Sequence, residues 1–416
     1  MRDGTRRCPR SIAALLAALL LPGLARAQGE PVRVGFLTIK SGALAAGGRQ
    51  MEEGLSLLLK ERGNTLAGRK VELFTADTAG QPALTKTKIQ ELVERQKVQV
   101  VIGPLAAFEA LAVDGYIRQA QIPVISPSAA AEDLTQRKPN PWFVRAVGTS
   151  AQPTHALGEY AAKELKYKRI AMIADDFAFG HELSAGFQRT FELSGGKVVQ
   201  KLWSPLNVAD YGSYIAQIKP DVDAVFAGFA GANGLRFLQQ YKAYGLKIPV
   251  LGAMTTVDEG ILKNMGDEAL GVVSAGWYAA TSKAPGNAEF VKAYEADYHG
   301  LPGYYSVGAY TAGLFLEQAL QKISGKIEDK KAFMDALRHV HLREGPLGDV
   351  YLDEYGNPIM DIYVRKVERV NGRLENAVLK VYPKVSQFWT FAPKEFLEAP
   401  VYSRDYPPAK NLEVGR

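Results

Sequence analysis

The sequence predicts an α/β protein: two doubly wound parallel-sheet lobes, joined by multiple hinge crossings, with a cleft between them. Three observations carry this. Apolar strand-like runs alternate with amphipathic helical patterns along most of the chain, the signature of a parallel sheet covered by helices on both faces. Strand candidates such as "VQVVIGPL" (98–105) are almost continuously apolar, as strands buried on both faces are. The alternation also restarts after "KPNPWFVRAVGTS" (138–150), so two similar halves follow one another.

In the first half, "VRVGFLTI" is a strand and "KSGALAAGG" a glycine-rich turn. The next segment places Met51, Leu55, Leu58 and Leu59 at i, i+4, i+7 and i+8, one face of a helix. "RKVELFTAD" is a strand, "ALTKTKIQELVERQ" a helix, "VQVVIGPL" a strand, "AAFEALAVDGYIRQAQ" a helix and "IPVISP" a short strand. The second half opens with the helical "QPTHALGEYAAKEL". It continues through the strands "KRIAMIADD", "KVVQKLWS", "VDAVFAGF" and "IPVLGAM", with helices between them. From Gly271 the order changes: one strand, three helical patterns, then alternating segments around the turn signals "EYGNP" and "VNGR", which predict antiparallel strands. The expected division is a signal peptide at 1–27, a first lobe at 28–147 plus about 276–348, and a second lobe at 148–275 plus about 349–385. An irregular C-terminal tail fills 386–416.

The first 27 residues read as a secretory signal. A basic start, the short apolar core "SIAALLAALLLPGL" and "ARA" at 25–27 fit cleavage after Ala27, by a Sec or twin-arginine route. The apolar run is short of the roughly 20 residues that span a membrane. Export places the protein in the periplasm. It also removes five arginines and one aspartate, +4 of the formal +6, leaving +2. Nucleic-acid binding thereby loses its electrostatic footprint. The single cysteine, Cys8, leaves with the segment, so the mature chain has no disulfide, no cysteine zinc site and no thiol nucleophile.

Catalytic and cofactor motifs are sparse. There is no Walker loop, and "GFAGANG" (228–234) has the glycine spacing of a tight strand-to-helix turn rather than of a dinucleotide fingerprint. The five histidines lack metal-ligand spacing, and G-x-S-x-G is absent. Asp176 and His181 stand at one strand tip without a nucleophile beside them, an arrangement that an ordinary helix start also produces. No enzyme activity, metal or cofactor is expected. Aromatic residues are the informative class. Phe108, Phe177, Phe179, Phe229, Trp277 and Tyr278 all follow strand candidates, and the carboxyl edge of a parallel sheet is where open α/β proteins bind ligands.

The segments "VRVGFLTIKSGALAAGG", "VQVVIGPLAAFEALAV", "IPVISPSAAAEDLT", "RIAMIADDFAFGHELSAGF", "DAVFAGFAGANGLRFLQQYKAYGLKIPVLG" and "YYSVGAYTAGLFLEQAL" resemble the periplasmic solute-binding proteins of ABC importers, in the leucine/isoleucine/valine-binding (type 1) class. The likeness runs in family order from about Val32 to about Tyr382. It implies a ligand held between the lobes and delivered to a membrane permease. In that family a small hydroxyl residue, a threonine, two aromatics and an acid grip an amino acid. Carried over, these positions fall on Ala107, Ala130, Phe179, Phe229 and Met254. The hydroxyls and the acid of the amino-acid clamp are thus missing.

What remains implies an apolar slot. The expected ligand-binding residues are Ala106, Ala107, Phe108, Ser126, Ser128, Ala129, Ala130, Phe177, Phe179, Phe229, Met254, Thr255 and Tyr278. Helix starts there favour an anion, while an ammonium would lack a partner. The expected ligand is a small apolar, aromatic carboxylate. Arg49 and Arg145 are possible donors to it, although a structural role suits each as well. Two other readings stay open: a branched-chain amino acid or amide, with an acid supplied by Asp176 or Glu109, and a ligand-presenting sensor subunit. The protein is expected to work as a monomer.

Overall fold

The computed structural model describes residues 29–413, so the expected signal peptide lies outside the described residues. The first lobe holds a six-stranded sheet in the order β2-β3-β1-β4-β5-β6. Its strands are β1 (Val32–Thr38), β2 (Thr65–Leu66), β3 (Arg69–Asp77), β4 (Val100–Ile102), β5 (Val124–Ser126) and β6 (Phe143–Arg145). Apart from the β2–β3 hairpin, every pairing in it is parallel. Helices α1 (Ala45–Glu61), α2 (Pro82–Gln90) and α3 (Ala107–Ala120) connect its strands. The apolar face predicted for α1 is the buried one, with Met51, Leu55, Leu58 and Leu59 in the core.

The second sheet has nine strands. Its parallel part, β11-β10-β9-β7-β8, is built from β7 (Arg169–Asp175), β8 (Lys197–Ser204), β9 (Ala224–Gly228), β10 (Val250–Ala253) and β11 (Val273–Gly276). Helices α4 (Ala151–Lys163), α5 (Ala178–Leu193), α6 (Gly212–Ile215), α7 (Ala232–Ala243) and α8 (Glu259–Leu262) flank it. The chain then returns to the first lobe, where α9 (Asn287–Tyr298) and α10 (Tyr304–Lys322) pack on α1, and α11 (Lys330–Arg338) packs on α10. It crosses back into the antiparallel strands β12 (His341–Leu342), β13 (Val350–Leu352), β14 (Pro358–Val370) and β15 (Arg373–Val385), of which β14 pairs with β11. Three crossings therefore join the lobes, after β6, after β11 and after α11. Beyond β15 the tail forms one further helix, α12 (Pro393–Glu398), where the sequence suggested only irregular chain. Phe388, Phe396 and Tyr402 of the tail form a satellite core against the second lobe.

The lobes are closed on each other. Ala232 N–H donates to the Ala43 carbonyl at 3.2 Å, and Gly231, at φ +56°, is the residue that permits this approach: a Cβ there would lie 2.3 Å from the same oxygen. On the same closing surface, the Gln50 amide donates to Asp258 at 3.1 Å. The other oxygen of Asp258 accepts from the backbone N–H of Tyr304 at 2.5 Å. Burial pushes the Asp258 carboxyl up. Among the described residues, no helix is long and apolar enough to cross a membrane.

Candidate functional site

The loop after β5, Ser128–Ala131, is fixed by its own carbonyls. The Ser128 carbonyl accepts from the Tyr304 hydroxyl at 2.7 Å, and that of Ala130 accepts from the Ser150 hydroxyl at 3.0 Å. The Ala129 and Ala131 carbonyls both accept from the Arg145 guanidinium, which also reaches Thr135 Oγ1 at 3.0 Å. Burial lowers Arg145 to about 10, so it stays charged at neutral pH. With its oxygens spoken for, the loop can present methyl groups to the cleft and pay no polar penalty for doing so. Gly308 of α10 lets that helix lie against the loop; a Cβ there would meet the Pro127 carbonyl at 2.0 Å.

A cavity of about 300 Å³, counting its mouth, lies between this loop, α3, α5 and α10. In the closed form about 20 Å³ of it is open to the centre of a water-sized group. Of the residues singled out from the sequence, Ala106, Ala107, Ser128, Ala130, Phe177, Phe179 and Thr255 line it. The Phe177 and Phe179 rings stack at 6.0 Å, and Phe108 meets Phe177 edge-on at 5.5 Å from the other lobe without lining the cavity itself.

The other residues lie elsewhere. Ser126 and Ala129 stay outside the lining, the Ser126 hydroxyl donating to the Ala129 carbonyl. Phe229 turns into the second lobe's core, 4.8 Å from Phe237 and 5.3 Å from Tyr211, and leaves Ala230 facing the cavity. Met254 folds over Gly276 and lines a smaller neighbouring space. Tyr278 is fully buried beside Phe290. Arg49 is an exposed surface arginine beside Glu53, 3.8 Å away, and Arg145 is the clamp described above.

The polar inventory is small. The Ser128 hydroxyl donates to the Leu105 carbonyl at 2.7 Å, and that of Thr255 to the Phe229 carbonyl at 2.7 Å. Both protons are thus already committed. Sequence reasoning did not single out Leu44, Leu105, Ala230, Tyr304 or Tyr305, which complete the lining. The Tyr pair sits in "GYYS", where Pro302-Gly303 opens α10; that start signal was the available clue. Tyr304 is committed to Ser128. Among the described residues, no hydrogen bond reaches the Tyr305 hydroxyl. Burial first, then Tyr304, Asp258 and Asp175, raise its pKa, so it remains a proton donor. The starts of α3 and α5 also border the cavity from opposite lobes, and a first helical turn leaves N–H groups open.

Among the described residues, no charged side chain lines the cavity. Glu109 turns away from it, accepting from Thr85 and from Ala106 N–H, and burial pushes its carboxyl up. Asp176 pairs with His181 at 2.7 Å, outside the lining. Asp175, behind Ala230, accepts from Ala230 N–H and the Asn233 amide; burial raises it to about 7.

The two closed lobes, the three crossings and the cavity at the strand ends have a counterpart among known proteins. A family model described as periplasmic binding protein matches residues 31–373. The chain belongs to that family. It is a substrate-binding protein of the ABC-transporter class, whose members are periplasmic. A Leu/Ile/Val-binding protein homolog from Brucella melitensis is 27% identical over 386 residues, covering 90% of this chain and 97% of the relative. A solute-binding protein of an ABC transporter from Rhodopseudomonas palustris BisB5, solved with 3,4-dihydroxybenzoic acid, is 32% identical with a TM-score of 0.82. It covers 86% of this chain and 98% of that one. Another from R. palustris, solved with benzoate, is 26% identical with a TM-score of 0.81, over 86% of this chain and 97% of that one.

Proposed function

We propose that this protein captures a small aromatic carboxylate between its lobes and presents it, as a closed monomer, to the permease of an ABC importer. The observation that carries the reading is the uncharged lining of the closed cavity. A buried ammonium with no partner costs several kcal/mol. A carboxylate, by contrast, gains about 1.5–3 kcal/mol for each hydrogen bond it accepts. The Tyr305 hydroxyl and the first-turn N–H groups of α3 hold the carboxylate, and Phe177 and Phe179 cover the ring. The benzoate and dihydroxybenzoate complexes of the two R. palustris proteins support this choice. Closure follows because a ligand bridging both lobes binds the closed state better than the open one. Export with cleavage after Ala27 delivers the chain to the periplasm.

The Brucella relative's name favours a branched-chain amino acid instead. That reading needs an acid at the cavity, and neither Glu109 nor Asp176 lines it. A thermal-shift panel of benzoate, phenylacetate, leucine and valine separates the two. Ligand at a hundred times its Kd adds about 2.7 kcal/mol of stability. The aromatic acids are expected to raise Tm and the amino acids to leave it unchanged; the reverse pattern refutes the proposal.

A further inference from the structure

Beside the main cavity lies a second, smaller one of about 230 Å³ including its opening. The two share Phe179, Thr255 and Tyr304 as a common wall. The smaller space sits at the hinge: Pro153 opens α4 just after the first crossing, Trp277 follows β11 at the second, and Ala253 and Met254 end β10. Leu183 closes it from α5.

Its polar groups are committed, with one exception. The Ser150 hydroxyl bonds Ala130 and Glu182, and that of Thr154 bonds the Ala151 carbonyl. Thr255 and Tyr304 are bonded as described above. The Trp277 indole N–H is buried and, among the described residues, has no partner. An unmet buried donor is uncommon enough to need a reason. The indole is also held in place, its ring 4.9 Å from that of Tyr304 and packed over Gly148, where a Cβ would meet it at 3.2 Å. An indole can only donate, so what completes it is an acceptor. With apolar walls and a single donor, the space suits a neutral oxygen and not a charge.

We propose that this compartment receives an oxygen-bearing ring substituent, a phenolic hydroxyl or a methoxy group, and that Trp277 selects for it through its indole N–H. The inference rests on reading the main cavity as an aromatic-acid site.

The test is calorimetric titration of the wild type and Trp277→Phe with benzoate, 3-methoxybenzoate and 4-methoxybenzoate. Methoxy oxygens only accept, so they isolate the proposed bond. The ratio of affinities, better-bound methoxybenzoate over benzoate, is expected to fall roughly fivefold in the variant, the worth of one hydrogen bond. An unchanged ratio overturns the inference. Ala253→Val gives an independent reading and decides the matter should Trp277→Phe not fold: by filling the compartment from β10 it is expected to lower the same ratio roughly tenfold, and an unchanged ratio there also overturns it. If the wild type binds none of the three acids, the aromatic-acid reading itself fails and this inference with it. Benzoate binding with an unaltered ratio removes only the compartment.

Discussion

Tyr305→Phe separates binding from stability. The substitution removes one oxygen. That oxygen has no hydrogen-bond partner among the described residues, while the ring stays packed against Gly47, where a Cβ would lie 2.9 Å from it. The unliganded protein therefore loses no internal bond, and its Tm is expected to hold within about 1 °C. The liganded protein loses a hydrogen bond to a carboxylate. Such a bond is worth about 1.5–3 kcal/mol, or roughly 10- to 150-fold in Kd at 1.4 kcal/mol per tenfold. Isothermal titration with benzoate at pH 7 measures the second quantity and differential scanning calorimetry the first. A Kd within twofold of wild type would refute the assignment of this hydroxyl. So would a large drop in Tm, because it would mean that the oxygen serves the fold.

Three further outcomes follow from the same geometry. Gln50→Ala removes one buried bond between the lobes; it is expected to weaken ligand binding roughly fivefold by disfavouring closure, and small-angle scattering should show more open protein without ligand. Arg145→Met strips the Ala129 and Ala131 carbonyls of their donor and leaves Glu132 and Glu182, whose carboxyls burial pushes up, without the nearby cation that partly offsets that burial, a loss of about 3–5 kcal/mol by urea denaturation. Asp175 titrates at about 7 in the fold against an ordinary 3.8. The folded state thus holds the proton more tightly, and this group withdraws stability as pH rises from about 4 to about 7. Asp175→Asn is expected to flatten that slope, and a Tm difference between variant and wild type that stays constant over this range contradicts it.

Most of the fold was legible because the strands are short, apolar and separated by amphipathic helices. The cavity was legible only in part. The starts of α3 and α5 follow strands directly, so Ala106, Ala107, Phe177 and Phe179 could be placed from local sequence. Phe229 could not. One residue of parity after β9 sends its ring to the helix-covered face and gives the cleft to Ala230, and a strand-end phenylalanine carries no mark of which way it points. The Tyr304–Tyr305 pair arrives from a helix about 175 residues beyond Ser128; the start signal at Pro302-Gly303 marks the helix, but the contact itself is made by the second crossing. The hydroxyls of Ser128 and Thr255 were visible as donors, but their commitment to backbone carbonyls follows from the folded loop.

The central claim is that a cavity without charge, between lobes built to close, takes an aromatic acid. Titration calorimetry of residues 28–416 with benzoate and with leucine at pH 7 tests it most directly. The account predicts saturable binding of benzoate and none of leucine; tight leucine binding with benzoate silent would contradict it.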